Sequence, residues 1–431
     1  MSNSPTKCAV IALAIFAAIP AGAQTPMQRY AAHDSAASAA RKAHDWSEYQ
    51  KHVVVLDSIL GGHPNVQIVS ARIASHLGDT ATAYSRLRVF AAMGLQRNIE
   101  ADSDLVALKS SPTWKAINGR LASNGNTIGA PTPAFAMPDS DFVAEDIAWD
   151  PIGKRWLVTG IRRSVIVAVD RDGKQQTLST GADKGYGYLA LAVDSARGVV
   201  WATAEAIPLA LGFDTTMAGR ASIFRYDLKS GKQLARYDMT QGERHGAGDI
   251  AVGENGDLFI ADAADRSLHV IRSGSDRIDV FIPRGEFFSP QGPAVAKDGK
   301  HLYLADYGRG IARIDRSTGG VEWVSHPENV ALNGIDGLTA VDSRTLIGVQ
   351  NGTNPNRVIR ISLDDSGKSV SQIEVIAQNK ETIREPTHGV LVGRHFYFIG
   401  NGGYGSFDDK GNLAAGERAI APVILKLSNV R

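Results

Sequence analysis

The sequence of 431 residues contains a single cysteine, Cys8. One thiol can form neither an internal disulfide framework nor a metal site built from several cysteines, so both are excluded. The chain also lacks an excess of positive charge, because its 46 lysines and arginines are balanced by 45 aspartates and glutamates. A broad nucleic-acid-binding surface needs such an excess, so we expect no nucleic-acid partner.

Several catalytic motifs are missing as well. The sequence has no G-x-S-x-G nucleophile elbow, no H-E-x-x-H zinc motif and no G-x-x-x-x-G-K-[ST] phosphate loop. These absences argue against a serine-elbow hydrolase, a zincin and a P-loop NTPase. Glycine, in contrast, is abundant, with 44 residues, and such an excess is typical of a turn-rich β protein.

Long apolar runs are confined to the N-terminus. Lys7 precedes the run CAVIALAIFAAIP, and Ala21, Gly22 and Ala23 provide the small residues of a signal-peptide cleavage site. The run is shorter than the roughly 20 residues that a membrane span needs. We predict that residues 1–23 are a signal peptide cleaved after Ala23, that the mature chain has no membrane span, and that the protein is periplasmic or secreted. An uncleaved membrane anchor is the alternative.

Residues 24–123 follow a helical periodicity, with apolar residues three and four positions apart in WSEYQKHVVVLDSIL and TATAYSRLRVFAAMG. Ala40 and Asp45 recur as Ala74 and Asp79, in each case 34 residues later. This period resembles that of tetratricopeptide repeats, which are pairs of helices. The resemblance implies a small all-α domain for docking, with a possible protein partner. A small helical bundle is the alternative.

Residues 124–140 are rich in glycine and proline and predict a linker. From residue 141 to residue 431 the pattern changes to short apolar strands separated by D-G, G-K and N-G turns. Six such units recur at spacings of 43 to 60 residues, which is typical of a propeller with one four-stranded sheet per repeat. The units begin at Glu145, Tyr188, Gly248, Gln291, Asp336 and His388.

The predicted fold class is therefore mainly β, a six-bladed β-propeller over residues 141–431 preceded by a small all-α helical-repeat domain. A strand near Phe135 or Phe142 is expected to close the ring with residues 419–427. A β-sandwich is the rival fold, but regular repeats over this length are difficult to accommodate in one sandwich.

Three segments of these units, AEDIAWDP, PQGPAVAKDGKHLYLADY and IDGLTAVD, resemble the family of senescence marker protein, gluconolactonase and luciferin-regenerating enzyme. The chain also resembles NHL-repeat and strictosidine-synthase-like propellers. The resemblance extends from about Asp141 to Arg431. It implies a six-bladed propeller with one divalent cation, usually calcium, at the mouth of the central channel.

The family holds this cation with one glutamate, two asparagines and one aspartate, which are oxygen ligands suited to a hard cation. Glu145 matches the glutamate and Asp336 matches the aspartate. Gln291 stands in place of one asparagine and offers an amide oxygen, whereas Gly248 at the other asparagine position has no side chain. The resemblance thus implies calcium bound by Glu145, Gln291 and Asp336.

Two histidines near the same end of the units, His245 and His388, are candidate catalytic residues. A histidine near a cation can act as a general base or orient a substrate carbonyl. We predict an exported, divalent-metal-assisted hydrolase of a lactone or related ester, with a small-molecule substrate in the channel. The alternative is a non-catalytic module in which the propeller and the helices bind a ligand or a protein. A lyase or carbon–carbon-forming activity has no specific support in the residues.

Overall fold

The computed structural model describes residues 24–239, 244–378 and 381–430. Helices come first, and a ring of six four-stranded sheets follows, which confirms the predicted fold class. The predicted signal peptide, residues 1–23, lies outside the described residues, so its cleavage and the export of the protein stay predictions. Within the described ranges, no helix combines the length and the apolar character that crossing a membrane requires.

The N-terminal helices begin at side chains that cap them. Asp45 and Asp79 each accept a hydrogen bond from the backbone N–H three residues ahead, at 2.9 and 3.0 Å. His44 and Gly78, one residue before the caps, have φ values of 56° and 77°, which turn the chain between two helices. The repeat in the sequence therefore corresponds to two similar pairs of helices. The described residues form α1 (Pro26–Lys42), α2 (Trp46–Ile59), α3 (Pro64–His76), α4 (Thr80–Ala92) and α5 (Pro112–Ser123), with a 3₁₀ helix at Ser103–Leu108.

Six antiparallel sheets, the blades, form the ring, and the first strand in each of the following groups lines the central channel. Blade 1 has β2 (Ala144–Asp150), β3 (Arg155–Gly160), β4 (Val165–Val169) and β5 (Gln175–Ser179); blade 2 has β6 (Tyr186–Asp194), β7 (Val199–Ala206), β8 (Ala221–Asp227) and β9 (Gln233–Asp238); blade 3 has β10 (Ala247–Val252), β11 (Leu258–Asp262), β12 (Ser267–Ile271) and β13 (Asp279–Ile282); blade 4 has β14 (Pro290–Val295), β15 (His301–Asp306), β16 (Gly310–Asp315) and β17 (Val321–Trp323); blade 5 has β18 (Ile335–Ala340), β19 (Thr345–Gln350), β20 (Arg357–Leu363) and β21 (Val370–Ala377); and blade 6 has β22 (Gly389–Val392), β23 (His395–Asn401), β24 (Val423–Leu427) and β1 (Thr132–Ala136).

The hydrophobic core is divided among the spaces between neighbouring blades. Leu157 and Ile166 of blade 1, for example, are buried in one cluster with Leu191 and Phe224 of blade 2. Both faces of a blade therefore need apolar residues, which explains why strands such as VIVAV of β4 are buried along their whole length.

The sixth blade is closed by a strand from the beginning of the propeller. β1 pairs with β24, and Phe135 lies opposite Ile424, so the predicted closing strand near Phe135 is present. Phe142, the other candidate, precedes β2. The interpretation of residues 124–140 as a linker is wrong for Thr132–Ala136, because this segment covers the edge of β24 that would otherwise expose unpaired backbone groups.

The inner strands of five blades carry a β-bulge near their first residues, and these bulges shape the channel mouth. In blade 1 the register shifts between Ala144 and Ile147, which turns Glu145 and Asp146 out of the regular ladder. In blade 5 the register shifts between Ile335 and Leu338, which turns Asp336 out of the regular ladder as well. The bulges therefore place acidic side chains at one end of the channel.

The helical domain packs on the same end of the propeller as these bulges. Inner strands start at that end and second strands return to it, so the loops after the second strands lie there too. Gln96 exchanges hydrogen bonds with Asn354 in one such loop, at 2.6 and 3.2 Å. Gln378, at the end of blade 5, donates to the backbone of Asn124 at 2.7 Å. The helices thus use part of their surface to contact their own propeller.

Arg357 is the most deeply buried link between the two domains. Its side chain is 1% exposed, and it donates to the backbone oxygen of Met93 at 2.9 Å and to the side chain of Gln350 at 2.6 Å. Burial lowers the pKa of the guanidinium to about 10, so it stays charged near neutral pH.

We expect Arg357→Met to lower the free energy of unfolding by about 3 kcal/mol, because it leaves buried acceptors without a donor. Urea unfolding measures this loss, and limited proteolysis is expected to release the helical domain earlier. Arg344→Met, which removes an exposed ion pair with Asp365, is the control and should change stability by less than about 1 kcal/mol. Equal losses in both variants would contradict the proposed role of Arg357.

Candidate active site at the channel mouth

Two carboxylates and one imidazole converge at the mouth of the channel. Glu145, Asp336 and His388 each bring one potential ligand atom to within 4.8 Å of the others. Glu145 and Asp336 come from the bulges of β2 and β18, and His388 immediately precedes β22. A pocket of about 440 Å³ opens over the two carboxylates, and its other lining residues are Asn351, Asn356, Arg384, Glu385, Thr387 and Tyr404.

Each carboxylate of the pair is oriented by one hydrogen-bond donor. The hydroxyl of Tyr404 donates to Oε2 of Glu145, and the amide of Asn351 donates to Oδ2 of Asp336 at 2.6 Å. Asn351 is itself held in place, because it donates to the backbone oxygen of Pro386 and accepts from Tyr307, both at 2.9 Å. These bonds engage one oxygen of each carboxylate, and a carboxylate has two.

Burial and mutual repulsion disturb the ionisation of both carboxylates. Burial raises the pKa of Glu145 to about 8, and the charge of Asp336 adds to the shift. Burial likewise raises the pKa of Asp336 to about 6, although the charge of His388 opposes it. Ionising these two carboxyl groups therefore lowers the stability of the folded protein, and a bound cation would offset this loss.

His388 is held in its charged form. Its Nε2 lies 2.7 and 2.8 Å from the two carboxylate oxygens of Asp249, and its Nδ1 lies 3.1 Å from the backbone oxygen of Glu145. Both ring nitrogens thus face acceptors, so both carry a proton. Burial by itself lowers the pKa of His388, but the charges of Asp249 and Asp336 outweigh it and raise the pKa well above its ordinary value. An imidazolium is a proton donor, so His388 in this form would act as an acid, and its assignment as a general base stays a prediction.

Two functional carboxylates were missed at the sequence level, Asp146 and Asp249. The bulge in blade 3 leaves Gly248 as the extra residue, so the side chain of Asp249 reaches His388 across the channel. Asp146 accepts from the backbone N–H of Leu191 in the next blade at 2.6 Å, and burial raises its pKa to about 6. The dipeptide Asp-Ile occurs both after Glu145 and after Gly248, and this repeat could have indicated that Asp146 and Asp249 occupy equivalent positions in their blades.

Two other predicted site residues have different surroundings. The amide of Gln291 donates to Ser289 at 3.1 Å, and its oxygen lies 3.7 Å from where a β-carbon on Gly248 would stand. The side chain of Gln291 thus faces blade 3 near the mouth. Its role as a calcium ligand stays a prediction. His245 is not among the described residues that line the mouth pocket, because its Nδ1 bonds Asp262 at 2.6 Å, at the end of β11. The expectation that His245 joins the channel-mouth site is therefore corrected.

The carboxylate pair fits a hard divalent cation such as calcium. Calcium binds six to eight oxygens at about 2.3–2.6 Å, so two of its ligand atoms can lie up to about 5 Å apart. One oxygen each from Glu145 and Asp336 meets this limit. The nitrogens of His388 are protonated, so this residue is a neighbour of such an ion and not a ligand. Two buried carboxyl groups, Asp146 and Asp249, and two half-buried ones, Glu145 and Asp336, surround this one imidazolium, so a cation would offset the charge of those that ionise.

The fold and the site together define a six-bladed propeller with an acidic, histidine-containing channel mouth. No family model matches the sequence, and no curated protein matches it. Among solved structures, a gluconolactonase from Xanthomonas campestris is 14% identical, with 70% of this chain and 92% of that chain covered and a TM-score of 0.44. A luciferin-regenerating enzyme is 15% identical, with 70% and 96% covered and a TM-score of 0.47. A streptogramin B lyase is 14% identical, with 70% and 98% covered and a TM-score of 0.44. Likeness at this level carries no information about activity, so the functional argument depends on the chain's own residues.

Proposed function

We propose that the protein is an exported hydrolase of a lactone or related ester, and that it works with a calcium ion bound at the channel mouth. The observation that carries this proposal is the convergence of Glu145, Asp336 and His388, in which the two carboxyl groups line the mouth pocket and His388 lines the channel. Strongly perturbed titratable groups that share a cleft are typical of catalytic sites. The volume of about 440 Å³ suits a small-molecule substrate.

The residues divide into a cation-binding pair and a proton-donating pair. Glu145 and Asp336 would hold the ion, with Gln291 as a further oxygen ligand, and when bound it supplies Lewis acidity toward a carbonyl oxygen. His388 would give its proton to the departing alkoxide, and the proton that the attacking water loses would return to the ring, so the reaction balances over one turnover. The contact of Nδ1 with the backbone oxygen of Glu145, at 3.1 Å, is longer than the contacts of Nε2 with Asp249, so we assign the transferred proton to Nδ1. Asp249 keeps the ring protonated and fixes its orientation.

Metal analysis of the purified protein, together with Glu145→Gln and Asp336→Asn, tests the proposal directly. We expect about one calcium per chain, its loss in both variants, and a fall in lactone hydrolysis of at least about 100-fold, since each variant removes a ligand. Glu322→Gln, which alters an exposed ion pair with Lys368, is the matched control and should keep the ion and the activity. A protein without bound calcium, and without thermal stabilisation by added calcium, would exclude the metal-assisted mechanism.

A ligand-binding module without catalysis is the second candidate. The observation that favours it is that Tyr404 and Asn351 already orient one oxygen of each carboxylate, so the pocket is preformed for a polar ligand. Turnover separates the two candidates. Calcium binding without hydrolysis of any member of a panel of lactones and esters would favour the binding module.

A further inference from the structure

A second cluster of ligand-type side chains lies away from the channel, at the end of blade 3 that carries the bulges. His245, Asp262 and His269 each bring one potential ligand atom to within 4.8 Å of the others. All three are buried, with exposed fractions of 3%, 0% and 5%. The proposed hydrolase mechanism uses none of them. Two histidines and a carboxylate are a donor set suited to a borderline transition-metal cation rather than to calcium.

The hydrogen bonds of Asp262 differ from those of Asp306, the equivalent aspartate of the next blade. Asp262 and Asp306 both end the second strand of their blades. In Asp306 both carboxylate oxygens accept backbone N–H groups, four in total, from Phe288, Ser289, Gly308 and Arg309. In Asp262, Oδ1 alone accepts the equivalent loop N–H groups, from Gly246 and Asp265, both at 2.9 Å. The other oxygen, Oδ2, is thereby directed at the two histidines.

The distances around Oδ2 of Asp262 suit a tetrahedral ion. Nδ1 of His245 lies 2.6 Å and Nε2 of His269 lies 3.6 Å from this oxygen. Two ligands of a tetrahedral zinc ion, each bound at about 2.0–2.2 Å, lie roughly 3.3 Å apart. The two distances lie on either side of this value, so shifts of less than about 1 Å bring the atoms into coordination.

The side chains around the cluster already orient it. Ser267 donates to Asp265 at 2.6 Å, so Nε2 of His269, which lies 2.9 Å from the Ser267 hydroxyl, carries a proton in the metal-free protein. This proton, and the one on Nδ1 of His245 that faces Asp262, must leave those nitrogens when a metal binds, so zinc binding is expected to weaken at low pH. Oε2 of Glu205, from the end of β7 in blade 2, lies 3.6 Å from where a β-carbon on Gly246 would stand. This carboxylate lies beside the residue that follows His245 but is not one of the three groups whose ligand atoms lie within 4.8 Å of one another.

We propose that His245, Asp262 and His269 form a second metal site with three protein ligands, selective for a transition-metal cation such as zinc. Asp262 and His269 belong to blade 3, and His245 lies two residues before the first strand of that blade. The second metal site is independent of the calcium site at the channel mouth, because the two share no residue.

Zinc competition with a chromophoric chelator, on the full chain freed of metal, tests this proposal. Cobalt serves as a spectroscopic probe, since a tetrahedral site with nitrogen ligands gives visible absorption. We expect one tight zinc ion per chain in the unsubstituted protein and in Glu145→Gln combined with Asp336→Asn. His245→Gln, His269→Gln and Asp262→Asn should each weaken zinc binding by at least about 10-fold. Asp262→Asn keeps an oxygen for the backbone N–H groups, so it preserves the fold even where a histidine variant does not.

His301→Gln is the matched control for the zinc measurement. His301 forms a pair with Asp298 at 2.6 Å, which has the geometry of the His245–Asp262 pair but no second histidine. Zinc binding should be unchanged in this variant. Zinc affinity that survives in all three cluster variants, an absence of zinc binding in the unsubstituted protein, or loss of zinc in the channel-mouth double variant would each overturn the proposal. Only the last of these results would locate the zinc at the calcium site.

Discussion

In calcium-free buffer at pH 8, Glu145→Gln is expected to unfold at a higher temperature than the unsubstituted protein, although the proposed function requires this variant to be inactive. The cause is the raised pKa of Glu145, about 8 in the folded protein against an ordinary value of 4.5. The unfolded chain ionises this carboxyl freely, whereas the folded chain must keep it protonated or bear a buried charge. A glutamine side chain is neutral at every pH, so it neither has to bind a proton nor buries a charge. Its amide oxygen can still accept the hydrogen bond from Tyr404.

The sign of the pH dependence follows from the same pKa values. For a carboxyl with a raised folded pKa, stability falls as the pH rises from about 4.5, and the loss is complete above about 8. We therefore expect Glu145→Gln to match the unsubstituted protein near pH 4 and to exceed it by about 2 to 4 kcal/mol at pH 8 and above. Asp336→Asn should show a smaller gain that is complete above about pH 6.

Added calcium should make the unsubstituted protein more stable than Glu145→Gln. An ion that binds only the folded state stabilises it in proportion to its occupancy, so the unsubstituted protein gains stability and Glu145→Gln does not. Differential scanning calorimetry at several pH values, with and without calcium, measures both effects. Glu322→Gln should follow the unsubstituted protein under every condition. A Glu145→Gln protein that is less stable at pH 8 without calcium would show that the carboxylate has a structural role and is not strained.

His388→Ala is expected to have the largest cost to stability. The imidazolium is the cation buried among Asp146, Asp249 and Asp336, and its removal leaves their charges without compensation. We expect a loss of about 3 to 5 kcal/mol at pH 6. The same variant should lose at least about 100-fold in hydrolysis, because it lacks the proton donor.

The pH dependence of this loss has the same sign as that of Glu145, because in both cases the folded state binds the extra proton, but for His388 the variant differs most from the unsubstituted protein at low pH. A histidine whose folded pKa is raised contributes its full stabilisation below about 6.5, and the contribution disappears as the pH rises through the folded value. The difference between His388→Ala and the unsubstituted protein should therefore be greatest at pH 6.5 and below, and it should shrink at high pH.

A double-mutant cycle with Asp249→Asn separates the ion pair from other effects of His388. Because the two side chains are 2.7 Å apart, we expect the double variant to lose about 1 to 3 kcal/mol less than the sum of the single losses. His395→Ala, at the start of the next strand in the same blade, is the control and should be close to neutral. Additive losses in the cycle would mean that Asp249 does not hold His388 in its charged form.

The fold was predictable because each blade is encoded locally. Alternating apolar strands and glycine-containing turns recur six times, and the predicted first residues of the units lie within two positions of the starts of the inner strands. The capping residues Asp45 and Asp79 likewise marked the helical repeat. β1 was predicted only as one of two candidates, near Phe135 or Phe142, and its residues were assigned to the linker. Its sequence, TPAFA, has the composition of a linker, and it becomes a strand only through pairing with β24 some 290 residues later.

The sequence by itself determined the propeller and its helical N-terminal region, and the family resemblance pointed to two of the acidic residues at the channel mouth, Glu145 and Asp336. Only the tertiary structure decided which residues act together. Asp249 meets His388 across 139 positions of sequence, and His245 turns away to Asp262. The reason is that a bulge of one residue changes which side chain faces the channel, and the ring brings together residues that have no local relation.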